Sequence, residues 1–125
     1  MRYIFTIGHR LPSLNDYVDV CRFNKYQAAS FKKNVDSLIS YEILTQLKGL
    51  QIEKQVYVHL HFIEENMKRD VDNVYSASKY ILDALVKMKV LKNDSPRYVK
   101  DIFYSHMYAK ESKVIVEIEE IEEVE

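Results

Sequence analysis

The chain has 125 residues, of which 47% are apolar and 30% charged, which fits one compact folded domain and leaves little room for a second. Two glycines, Gly8 and Gly49, exclude a Gly-rich phosphate loop or a dinucleotide fingerprint, and the lone Cys21 excludes an internal disulfide and a cysteine-based zinc site. The net charge of −1 hides an asymmetry: the last nine residues, EIEEIEEVE, hold six acids, so eighteen basic residues against the other thirteen acids leave the rest of the chain at +5.

Arg2 to Ile7 reads as a short strand with Tyr3, Phe5 and Ile7 on one face. A first helix enters at Pro12-Ser13. Ser13 is its cap and Asp16 stands in the capping-box position, followed by Leu14, Tyr17, Val18 and Cys21 at helical spacing. This stripe predicts a buried, inert Cys21. Lys25 to about Leu47 holds neither Gly nor Pro and reads as a second helix along Val35, Leu38, Ile39 and Leu47, ended by Gly49.

Gln55 to Glu65 alternates strictly, with Val56, Val58, Leu60 and Phe62 on one face and Tyr57, His59 and His61 on the other, so it is a strand with one face in the core. Two histidines on that second face are too few donors for a metal and read as a satisfied sheet face. Val74, Ala77, Ile81, Ala84, Leu85 and Met88 then predict a third helix of about four turns. Tyr98 to Tyr108 and Lys113 to Ile118 close the chain as two strands, paired around the turn-like AKES. The expected fold is α+β, a small mixed sheet of about four strands with two or three helices. Residues 1–119 form its single domain and 120–125 a solvated acidic tail. No stretch approaches the roughly 18 apolar residues of a membrane span, and the start MRYIFTIGHR lacks a leader's apolar run. Both features, with one cysteine, predict a cytoplasmic protein.

The segment richest in chemistry is Lys68-Arg69-Asp70-Val71-Asp72-Asn73, between a strand and a helix. Two carboxylates at i and i+2 of extended backbone point to one side, and a third, Asp94, follows the helix. Converging, they would make the oxygen-rich site that magnesium prefers; alternatively Asp70 or Asp72 caps the helix. Spacing leaves both readings open.

RDVDN, KYILDAL with Lys79 and Asp83, and VLKND ending at Asp94 together resemble the signature of the RusA family of Holliday-junction endodeoxyribonucleases. LPSLNDYVDVCRFNKYQAA is similar to the opening of the family's branch in Gram-positive phages. The resemblance runs from about Tyr3 to Glu119. It implies a RusA-like homodimer in a bacterial host, phage or prophage encoded, that cuts branched DNA symmetrically with Mg2+, or with Mn2+, and needs no organic cofactor or membrane. The family's metal-binding catalytic carboxylates map to Asp70, Asp72 and Asp94, and its helix lysine maps to Lys79, here set further from D-x-D-N by Val74 to Ser78. Asn93 stands where many relatives carry Asp, which implies weaker metal affinity. Arg10, Asn15, Arg22, Lys25, Lys32, Lys33, Lys68 and Arg69 are the expected contacts to DNA. The alternative, a phage DNA-binding or protein-interaction module without cleavage, is disfavoured because a pure phosphate binder gains nothing from three acids.

Overall fold

The structure is a computed structural model in which residues 1–122 are described. Its elements run β1 (Arg2–Ile7), α1 (Leu14–Phe23), α2 (Lys25–Leu47), β2 (Val56–Glu64), α3 (Val71–Tyr75), α4 (Ser78–Lys87), β3 (Val99–Tyr108) and β4 (Lys113–Glu120). The strands form one sheet in the order β1-β4-β2-β3. β3 pairs parallel to β2, whereas β4 pairs antiparallel to both β2 and β1, so the sheet is mixed. This is the α+β class expected of the sequence.

One face of the sheet carries the core. Phe5 and Ile7 of β1, Val56, Val58, Leu60 and Phe62 of β2, and Val114, Val116 and Ile118 of β4 are all buried there. They meet Val35, Ile39 and Ile43 of α2 and Tyr80, Ile81, Ala84 and Leu85 of α4 in one hydrophobic cluster. Alternation with period 2 in strands and 3.6 in helices places these residues together without any local exception. α2 ends as its pattern requires, with Lys48 in the left-handed region at φ 49° and Gly49 following at φ 80°. The opposite sheet face is mixed, with ion pairs across β1, β4 and β2 and exposed Phe103 and Met107 on β3. Arg2 bridges Glu117 at 2.8 Å, and His59 lies 3.1 Å from Glu119.

The closing strands do not form the expected hairpin. β2 lies between β3 and β4, because the helical crossover through α3 and α4 returns the chain parallel to β2, while β4 fills the slot on β2's other side. The continuous third helix is also corrected. It breaks at Ser76-Ala77, where Ser76 Oγ donates to Asn73 O at 2.6 Å and the backbone tightens to i−3 bonds such as Tyr80 N to Ala77 O at 3.1 Å. Cys21 is exposed rather than buried, because no residue of α1 is fully buried: of its apolar stripe, half-buried Tyr17 packs against the core, 6.0 Å from Phe31 of α2.

The expected boundary at 119/120 falls inside β4. Glu120 is a strand residue that accepts from the Tyr3 hydroxyl at 2.9 Å, and Ile121 N donates to Gln55 O at 2.9 Å. Glu122 bridges Lys54 at 2.9 Å, and 123–125 lie outside the described residues. Deleting Ile121 to Glu125 therefore lowers stability by about 1 kcal/mol, the scale of the Ile121 N to Gln55 O backbone bond, and among the described residues it also removes the exposed ion pairs of Glu122 with Lys54 and the N-terminal amine. Urea unfolding of the truncated chain checks this, and an unchanged midpoint would show that the segment contributes nothing.

Candidate active site

The site is assembled where two distant segments of the chain meet. Asp70 ends a loop that leaves β2, and that loop is held by Arg69. The guanidinium donates from Nη2 and Nε to Glu64 Oε1 at 2.6 and 3.0 Å, and from Nη1 to Leu11 O at 3.0 Å. Both side chains are nearly buried, at 11% and 9% exposure, so the pair is a strut rather than a surface bridge. Two more bonds join the segments: Leu14 N donates to Ser76 Oγ at 3.0 Å and the Tyr80 hydroxyl to Ser13 O at 3.2 Å. Burial, with a smaller push from the Asp16 charge, raises the Tyr80 phenol to about 12, so it remains a donor at neutral pH. Ser13 closes the capping box read from the sequence, accepting from Asp16 N while Asp16 accepts from Ser13 N. The stretch from Arg10 to Asn15 and the stretch from Asp70 to Asn73 thus share one corner.

Asp70 occupies the N-cap of α3, yet its side chain makes no capping bond and is exposed. The capping alternative accordingly does not describe it. Asp72 lies in the first turn of α3, not in extended chain, and its Oδ1 accepts the Asn73 amide at 3.0 Å. Asn73 buries an Oδ1 with no hydrogen-bond partner among the described residues. Asp94 stands apart. Its loop is tied to the start of β2 by Ile52 N to Val90 O, Lys92 to Glu53 and Gln55 to Pro96 O, each at 2.8 Å, whereas Asp70 follows the end of β2.

Lys79, in the first turn of α4, is 60% exposed and bridges Asp83 at 2.9 Å. That bond holds its ammonium above the ordinary lysine range, with a small further push from Asp94, which therefore lies within electrostatic reach. Asn93 Oδ1 accepts from Ser95 N at 2.9 Å and so shapes the loop. Among the described residues, no three His, Cys, Asp or Glu side chains gather closely enough to hold an ion. Asp70, Asp72 and Asp94 have the hard oxygen donors that magnesium takes, but the chain alone does not bring them into one coordination sphere.

Residues 19–119 match the model of the family described as Endodeoxyribonuclease RusA. The chain belongs to the RusA endodeoxyribonuclease family. The match spans D-x-D-N, Lys79 and Asp94 and leaves Pro12 to Asn15 outside it. No curated protein matches the chain. Members of the RusA family are endonucleases of branched DNA, hydrolases that generally depend on a divalent metal. No described helix is long and apolar enough to cross a membrane.

Of the expected DNA contacts, Arg10, Asn15, Arg22, Lys25, Lys32, Lys33 and Lys68 are exposed, and none of these six cations makes an ion pair among the described residues. Arg69 is the exception, since all its bonds go to Glu64 and Leu11. Sequence reasoning also missed Glu64 and Tyr75. Glu64 continues a buried strand at 7% exposure, which a charge in an otherwise apolar run signals. Tyr75 bonds His106 Nδ1 at 2.6 Å, and no local pattern foretells a contact across 31 residues.

Proposed function

We propose that this RusA-family chain is a crossover-junction endonuclease, acting as a cytoplasmic, phage-encoded homodimer on four-way junctions. The observation that supports it best is the state of the acidic residues within a matched nuclease family. Asp70 is exposed at a helix start and makes no capping bond. Asp70, Asp72 and Asp94 are the proposed catalytic carboxylates, cleavage depends on Mg2+ or Mn2+, and Lys79 contacts the phosphate. A two-fold dimer suits a four-way junction, because an isologous pair offers equivalent sites to two strands of matching polarity.

The α1–α2 cations Arg22, Lys25, Lys32 and Lys33 bind backbone phosphates without reading sequence. Lys32→Ala and Lys33→Ala each lower the slope of log affinity against log salt by about 1, by removing one released counterion. Fluorescence anisotropy across a salt series measures this, and an unchanged slope removes that lysine from the interface. The class itself is tested on a synthetic four-way junction with and without Mg2+. Paired symmetric nicks that require the cation support the reading. Binding without nicks under any divalent metal would establish the non-catalytic module instead.

A further inference from the structure

The two free edges of the sheet are treated differently. On β1 the Gln46 side chain blocks the edge, accepting from Thr6 N and donating to Thr6 O, both at 2.8 Å. Natural sheets blunt their edges in this way. Among the described residues the β3 edge carries only a local bond of this kind, Ile102 N to Asp101 Oδ1 at 2.8 Å, and Phe103, Tyr104, Met107 and Tyr108 are 40% to 58% exposed along the strand.

Tyr104, His106 and Tyr108 share the sheet face that α3 overlies, since they pair with Leu60, Phe62 and Glu64. Tyr75 of α3 lies over them. Its ring is 4.9 Å from Tyr104 and 5.7 Å from His106, with buried Phe62 behind it at 5.7 Å, and His106 meets Tyr108 edge-on at 6.0 Å. The Tyr75 hydroxyl to His106 bond at 2.6 Å fixes the two rings against each other. These rings form a continuous run from the core to the solvent, ordered before any ligand arrives. The run begins three residues after Asp72. At the same end of the sheet lie exposed Lys68, Lys110 and Lys113, with the acids Glu65 and Glu111 among them.

We propose that Tyr75, Tyr104, His106 and Tyr108 are a stacking platform for unpaired nucleobases, which seats the splayed strand of a branch point beside Asp70 and Asp72. Every base offers a π face, but a paired duplex hides its faces within its own stack, so exposed rings select unpaired nucleotides. Lysines around the rings supply the phosphate attraction that a strand needs. This inference rests on the branched-DNA reading above.

The test compares the full-length chain with Tyr104→Leu/Tyr108→Leu, which keeps apolar bulk in the strand. Probes are a four-way junction bearing 2-aminopurine at the branch, a single-stranded oligonucleotide and a duplex of equal length. The double variant is expected to bind the junction and the single strand at least about tenfold more weakly, the loss that even one of its two removed stacks predicts, with duplex affinity and salt slope unchanged. The 2-aminopurine signal that accompanies wild-type binding disappears. Equal affinities of variant and wild type for the single strand and the junction overturn the platform. A variant that sediments at half the wild-type mass overturns it too, because the edge is then a seam between two copies. If the wild-type chain binds none of the probes, the functional reading falls and takes the platform with it. Should the double variant unfold, Tyr108→Leu at the end of β3 carries the same comparison.

Discussion

Asp70→Asn is expected to lower junction cleavage by at least about a hundredfold, the scale of losing one positioned acid or base, while leaving junction binding intact or slightly tighter. The structure makes this variant clean. Asn and Asp serve an N-cap equally, Asp70 makes no capping bond, and the side chain is exposed, so stability should change by no more than about 0.5 kcal/mol. Removing one negative charge also relieves repulsion toward a polyanion. Gel-shift and nicking assays on the same junction separate the two effects. Loss of binding in step with cleavage would argue against a catalytic role. Asp72→Asn and Asp94→Asn should behave alike, whereas Lys79→Ala should show a smaller defect, because the lysine is already paired with Asp83.

Arg69→Ala should destabilise the protein by about 3 to 5 kcal/mol, since it leaves Glu64 buried at 9% side-chain exposure without its partner. For a domain of this size the loss lowers the melting temperature by on the order of 10 °C. Arg69→Lys should recover only part of this, because one ammonium cannot make the bonds that run from Nε, Nη1 and Nη2 to two acceptors. The double change Arg69→Met/Glu64→Leu should regain most of the stability by removing both charges together. It should not regain activity, because the loop that presents Asp70 would no longer be bolted to Leu11. Urea unfolding of the three variants measures the first claims and nicking the last. A loss under 1 kcal/mol for Arg69→Ala would show that water reaches Glu64 and that the strut is not a strut.

Arg69 also shows how a residue's type can mislead about its place. A basic residue beside two acids reads as a phosphate contact, and six other cations of that reading are exposed and make no ion pair among the described residues. Whether an arginine faces solvent or a buried glutamate five residues earlier depends on how the loop folds back, and side-chain spacing holds no record of that.

By itself the sequence determined what depends on neighbours a few residues apart. The 2.0 period of Val56, Val58, Leu60 and Phe62, the capping box of Ser13 and Asp16 and the stop near Gly49 were legible because each is a local geometric requirement, whereas the D-x-D-N, Lys79 and Asp94 order was legible only as a family resemblance. Only the tertiary structure decided what depends on long-range partners: that β2 divides β3 from β4, that α1 leaves Cys21 in solvent, and that Ser76 breaks the third helix. The same holds for the loop of Asp94, which residue order sets after α4 but which only the fold ties to the start of β2. The physical reason is that period and capping energies act within one or two turns, whereas strand pairing and burial are settled by contacts between residues far apart in the chain.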